Sequence, residues 1–142
     1  MVRLAIGSNC EFEVSPIEVE RPGASYSVDT IEALRKQLGT KVKLFFLLGS
    51  DALSEFPQWK EPSRLIQMCQ LVAFSRPSST RPSLSSLESA IPGISSHVTL
   101  IEVPQIDISS TQIRARVAQG LSIRYLVPET VERYIKEHGL YR

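Results

Sequence analysis

The chain has 142 residues, 42% of them hydrophobic and 22% charged, the makeup of one folded domain with a core of its own. A formal net charge of +1 and the absence of a long basic run argue against a nucleic-acid or membrane-surface partner. No apolar run approaches the roughly 20 residues of a membrane helix, and Met1–Gly7 lacks the apolar stretch of a signal peptide, so the expected location is the cytoplasm.

Cys10 and Cys69 are too few for a disulfide framework and read as buried, reduced thiols. His97 and His138 are the only histidines, and neither belongs to a paired Cys/His spacing, so no structural zinc site is expected.

Along the chain, Phe12, Val14, Ile17 and Val19 suggest short extended pieces interrupted by Pro16, and Arg21-Pro22-Gly23-Ala24 reads as a turn. Val28, Ile31, Leu34 and Leu38 recur at helical spacing, with Gly39 as the stop and Ser27 or Asp29 as candidate caps. Val42–Leu48 is a nearly unbroken apolar run ending at Gly49, which reads as a strand buried on both faces of a parallel sheet. Leu71–Phe74 and Val98–Val103 are two further strands of this kind, and a helix is expected from Pro62 to Met68 between the first two. Ser78–Ser86 is rich in Ser and Pro and reads as a loop, followed by a short helix at Leu84–Ala90. Ile113 and Val117 before Gly120 mark one helix. Pro128 sits at the first turn of the last, with Val131, Tyr134 and Ile135 on its apolar face and Gly139 at its end. The strand–helix alternation indicates an α/β fold with a parallel sheet.

Three segments can carry chemistry. Asp107-Ile108-Ser109-Ser110-Thr111-Gln112-Ile113-Arg114 follows a strand and opens a helix, with Ser109 and Gln112 at capping-box spacing. Unpaired N–H groups at that helix start, the hydroxyls of Ser110 and Thr111 and the planar cation of Arg114 one turn on would cradle a polyphosphate. The alternative is a plain helix cap beside a solvated arginine. Gly49-Ser50-Asp51 follows the first apolar strand, where parallel sheets bind ligands. Asp51 can accept hydrogen bonds from ribose hydroxyls or a substrate amine, can sit near a metal, or can cap a helix. Trp59, the only tryptophan, can stack on a flat ring or fill the core. The third segment, Pro22–Thr30, is a turn leading into a helix start with hydroxyls near it.

In order and spacing these segments resemble the bacterial nicotinate-nucleotide adenylyltransferases. The matching residues are Ala24-Ser25-Tyr26-Ser27-Val28-Asp29-Thr30, Gly49-Ser50-Asp51, Trp59 and Ile108–Arg114, together with the closing Tyr125-Leu126-Val127-Pro128, Tyr134-Ile135 and Gly139-Leu140-Tyr141. The resemblance covers essentially the whole chain and implies a Rossmann-like nucleotidyltransferase fold over one domain, residues 1–142. It implies adenylyl transfer from ATP to nicotinate mononucleotide, giving deamido-NAD and pyrophosphate, with Mg2+ neutralising phosphate charge. Ser109, Ser110, Thr111 and Arg114 would hold ATP phosphates. Ser27, Asp51, Trp59 and Lys60 would meet nicotinate mononucleotide, with Trp59 stacked on its ring and the Lys60 backbone nearby. Ser27 stands where the family has Thr, and Lys60 where it has an aromatic residue.

The family also carries a first strand, a Gly-x-Phe-Asp-Pro-x-His-x-Gly-His loop and a helix, whose histidines stabilise charge on the α-phosphate. No His-x-Gly-His occurs in these 142 residues, so no catalytic residue is assigned. Met1–Ile6 resembles the middle of a family helix. The expectations are therefore an N-terminally truncated chain with little activity alone, an exposed sheet edge that favours self-association, and, as the competing reading, a non-catalytic nucleotide-binding or assembly module.

Overall fold

The computed structural model describes residues 1–7, 9–75, 83–104 and 106–142. In chain order the elements begin with α1 (Val2–Ile6), α2 (Ser27–Leu38), β1 (Phe45–Gly49), α3 (Ser50–Glu55), a 3-10 turn (Phe56–Gln58) and α4 (Pro62–Met68). They continue with β2 (Gln70–Ser75), α5 (Leu84–Ala90), a second 3-10 turn (Ile94–Ser96), β3 (Val98–Glu102), α6 (Ser110–Ala118) and α7 (Glu129–Glu137). The chain divides into two compact units, residues 17–105 and residues 1–16 with 106–142.

The larger unit is built on a three-stranded sheet of order β1-β2-β3. Both pairings are parallel, in register Leu47↔Val72 and Ala73↔Leu100, and each crossover between strands contains a helix, as parallel pairing requires. β2 is central and buried at Leu71, Val72 and Ala73. The core gathers Leu48, Leu53, Phe56, Leu65, Leu71, Ile91 and Ile94, each contributing about 1.5–3 kcal/mol by leaving water. Val28 and Ile31 bury one side of α2 in this core. Gly39, at φ +83°, ends α2 in a conformation that L side chains rarely adopt, and its N–H donates to the Arg35 carbonyl at 3.0 Å.

The smaller unit has its own apolar cluster of Ile113, Ile123, Val131 and Ile135, joining α6 to α7. α1 is tied to α7 by the Thr130 hydroxyl, which donates to the Leu4 carbonyl at 3.0 Å. Glu132 is buried on α7 and pairs with Lys136 at 2.6 Å, so its charge is compensated one turn away.

Several sequence expectations are corrected. Only one face of β1 is covered: Phe45 is 57% and Leu47 61% exposed, while Leu48 is buried. The outer strands β1 and β3 retain exposed apolar side chains, Leu100 and Ile101 among them, whereas the central strand is buried. Phe12–Pro16 has no regular structure and Ile17–Val19 forms a turn, so the extended pieces do not become strands; neither run finds a ladder partner. Ser27 is the first residue inside α2 rather than its cap, which is Tyr26, and no side chain caps that helix. Cys10 is exposed; Cys69 alone is buried. Residues 78–82 of the expected Ser/Pro loop lie outside the described residues.

Candidate functional site

The start of α6 is made by reciprocal bonds. Gln112 N–H donates to Ser109 Oγ at 3.2 Å, and Ser109 N–H donates to Gln112 Oε1 at 3.1 Å, so the capping box expected from the sequence is present. Ile113 is buried in the apolar cluster and fixes the helix, which leaves Ser110, Thr111, Gln112 and Arg114 exposed. Arg114 folds back one turn and donates from Nη2 to Thr111 Oγ1 at 3.3 Å. A helix start carrying about half a positive charge, hydroxyls and a guanidinium thus converge on one surface. The Ser109 hydroxyl is committed to the cap, and the N–H groups of Ser110 and Thr111 are left for a ligand.

In the larger unit Ser27, Trp59 and Lys60 meet in a cleft of about 240 Å³, lined also by Ser25, Tyr26 and Gln58. The core-packing alternative for Trp59 is observed. It packs against the core, edge-on to Phe46 at 5.9 Å and tilted against Phe56 at 5.2 Å, while it also forms part of the cleft wall. The first turn of α2 opens at this cleft. Tyr26 caps the helix through its backbone, accepting from the N–H groups of Asp29 and Thr30, each at 3.1 Å.

The Lys60 side chain is held beside the start of α2. Its Nζ donates to Asp29 Oδ2 at 3.0 Å and lies 4.5 Å from the centroid of the Tyr26 ring. Tyr26 and Asp29 belong to a segment the sequence singled out, but not as partners of Lys60, and Gln58 was assigned no role. An ion pair spanning 31 positions follows no periodicity, and only the nearness of the Tyr26 segment to Trp59 in the fold exposes it.

Asp51 stands apart from this cleft. It lies in the exposed first turn of α3, directly after β1, with Gly49 as the cap. Among the described residues the Asp51 side chain makes neither a hydrogen bond nor an ion pair. Gly49 has φ −76°, and a Cβ there would meet nothing within 4 Å, so the fold itself does not demand glycine. Its missing side chain leaves room over the carboxyl end of β1, where ligands of parallel sheets bind.

Two groups away from these surfaces have shifted titrations. Burial pushes the Cys69 thiol up to about 11. The Glu88 carboxyl is held below the usual range by the Ser95 hydroxyl and by the N–H groups of Gly93 and Ser95. No group of three or more His, Cys, Asp or Glu that could hold a metal occurs among the described residues. No helix among them is long and apolar enough to cross a membrane.

A cytidylyltransferase-like family model matches residues 1–116. A nicotinate-nucleotide adenylyltransferase of Roseiflexus sp. is 45% identical over 142 residues, covering 100% of this chain and 70% of that protein. One of Dehalococcoides mccartyi is 40% identical over 141 residues, covering 99% of this chain and 69% of that protein. The solved structure of Plasmodium falciparum nicotinic acid mononucleotide adenylyltransferase complexed with APC matches with a TM-score of 0.73 over 99% of this chain and 72% of that chain. At 18% identity, that last match is a likeness of fold: the Rossmann-like nucleotidyltransferase arrangement.

Proposed function

This chain belongs to the nicotinate-nucleotide adenylyltransferases, within the cytidylyltransferase-like family, and on that premise we propose that it serves adenylyl transfer from ATP to nicotinate mononucleotide. The products are deamido-NAD and pyrophosphate. The observation that carries the reading is the cleft at the start of α2, where an aromatic wall, a helix start without a side-chain cap and a cation meet. A pyridine ring stacks on Trp59, and its carboxylate faces the first turn of α2 at Ser27 and the Lys60 segment. Asp51, unpartnered and exposed, accepts from the ribose hydroxyls.

ATP phosphates bind the start of α6. The N–H groups and hydroxyls of Ser110 and Thr111 donate to phosphate oxygens, Arg114 adds a planar cation, and Ser109 keeps the helix start rigid. Mg2+ accompanying ATP would neutralise phosphate charge, while Ser110, Thr111 and Arg114, as hydroxyl and guanidinium donors, would hold the phosphates rather than the ion.

Stabilising charge on the α-phosphate during attack needs donors aimed at that group. The 142 residues contain no His-x-Gly-His, and this favours binding over turnover for the chain taken alone, the non-catalytic reading among its consequences. The test is a titration of the 142-residue chain with nicotinate mononucleotide, followed by Trp59 fluorescence, beside an assay for deamido-NAD. Saturable quenching with slow turnover is expected. No quenching at millimolar nucleotide would remove the reading, and rapid synthesis would refute the demand for the histidines.

A further inference from the structure

We infer that the larger unit carries a binding site for a phosphate oxyanion at the amino ends of its strands, where Arg35, Lys43 and His97 line one pocket. The inference is independent of the proposed function. These residues are far apart in sequence, and the parallel sheet gathers them. Leu44 precedes β1, Gln70 opens β2 and His97 precedes β3. Two backbone bonds join these strand starts. Gln70 N–H donates to the Leu44 carbonyl at 2.9 Å, and Leu71 N–H donates to the His97 carbonyl at 2.7 Å. The last turn of α2 adds Arg35, and the end of α4 adds Gln67. Gly49 and Asp51 stand at the opposite end of β1, and the pocket shares no residue with the Trp59 cleft or with the start of α6.

The charge of the pocket is one-sided. Arg35 Nη1 donates to the Val42 carbonyl at 2.6 Å, which anchors the guanidinium beside Lys43 and leaves four of its five donors. Among the described residues the Lys43 side chain makes neither a hydrogen bond nor an ion pair. The His97 ring is oriented through Nδ1, which lies 3.0 Å from the Gly93 carbonyl oxygen and 3.0 Å from Ser96 Oγ. No carboxylate belongs to the lining among the described residues. The acids of α2 and of the α4 cap are engaged elsewhere: Glu32 pairs with Arg64 at 2.8 Å and Lys36 at 3.3 Å, Glu61 with Arg64 at 3.1 Å, and Asp29 with Lys60 at 3.0 Å. Arg35 and Lys43 are therefore uncompensated within the pocket. A planar fork beside a point ammonium matches the several acceptor oxygens of a phosphate, and the amides of Gln67 and Gln70 add neutral donors. The volume, about 180 Å³, is below the roughly 300 Å³ of drug-sized sites and suits a small ion or group. Leu44, Ile66 and Met68 complete the wall, so a phosphate ester on a small apolar body gains contacts that free phosphate does not.

The experiment is a proton–nitrogen NMR titration of the 142-residue chain with inorganic phosphate and, separately, with phenyl phosphate, at constant ionic strength set by chloride. Saturable shifts at the Leu44, Gln70 and His97 amides are expected. Arg35→Met weakens binding about tenfold, since the guanidinium is half-buried. Lys43→Gln weakens it about threefold, since that ammonium is exposed. Lys43→Gln breaks no side-chain bond within the chain, so it keeps the test decisive if Arg35→Met unfolds. Lys41→Gln, at an exposed neighbour outside the lining, leaves the affinity unchanged. Tighter binding of phenyl phosphate assigns the ester as ligand and equal binding assigns the free ion; either upholds the site. Shifts confined to residues 110–114 at the start of α6, or a loss in Lys41→Gln equal to that in Lys43→Gln, overturn the inference and leave the proposed function standing.

Discussion

α6 begins with Ser109 and Gln112 bonded to each other's backbones, whereas α2 begins at Tyr26 with no side chain on its first N–H groups. Both helices start on candidate ligand surfaces, yet they handle the same unsatisfied donors differently. At α6 the cap is closed and rigid, and the ligand groups are those beyond it: Ser110, Thr111 and the folded-back Arg114. At α2 the acidic residue of the first turn, Asp29, reaches across to Lys60 instead of capping the helix. A closed cap suits a highly charged polyphosphate, which supplies its own attraction. An open start beside a stacking wall suits a single carboxylate, which needs the bare N–H groups.

The largest change is expected from Trp59→Ala, which removes the wall beside α2 and the contacts to Phe46 and Phe56 together. Part of the ring is outside the core, so urea unfolding should show a loss of about 2–4 kcal/mol, with nucleotide binding at the cleft abolished. A loss below about 1 kcal/mol would mean that the ring serves the ligand and hardly the fold. Next comes a pair of serine-to-alanine changes. Ser109→Ala should cost about 1 kcal/mol because the Gln112 N–H loses its acceptor, and Ser27→Ala should stay within about 0.5 kcal/mol because Ser27 caps nothing. Equal losses at the two serines would erase the contrast between the two helix starts.

The smallest effect concerns a cap whose charge acid can remove. Glu88 Oε1 accepts from Gly93 N–H at 2.6 Å, and Oε2 accepts from Ser95 N–H at 2.9 Å and from the Ser95 hydroxyl at 2.6 Å. These bonds hold its titration below the ordinary glutamate value of 4.5. The stabilisation is thus complete above that value and is lost as pH falls through the lower folded-state value. Melting temperatures taken from pH 6 downward should fall more steeply for the original chain than for Glu88→Gln, with the two curves converging in acid. Parallel curves would show that the carboxylate contributes nothing that titrates.

The elements with period or punctuation could be read from the sequence. The spacing of Val28, Ile31 and Leu34 found α2, and the Ser109–Gln112 interval found the start of α6. The apolar run at 42–48 located β1 but misjudged its surroundings. Apolarity reports that a strand can be covered, not which neighbours cover it, and Phe45 and Leu47 remain in water. The candidate cleft was legible where residues adjoin in sequence, as Trp59 and Lys60 do. It was not legible where the fold folds back, as it does to set Lys60 over Tyr26 and against Asp29. Asp51 and Trp59 lie eight positions apart in sequence, but only Trp59 lines the cleft, because the 3-10 turn at Phe56–Gln58 turns the chain between them.

The two cysteines differ in a way that has practical use. Cys69 is buried with its thiol raised to about 11, so at neutral pH it stays protonated and shielded from electrophiles. Cys10 is exposed and belongs to the smaller unit, while Trp59 belongs to the larger. A maleimide dye would therefore attach at Cys10 alone, and with the single tryptophan as energy donor the unaltered chain becomes its own optical ruler between the two units, reporting on their separation as nucleotide is added.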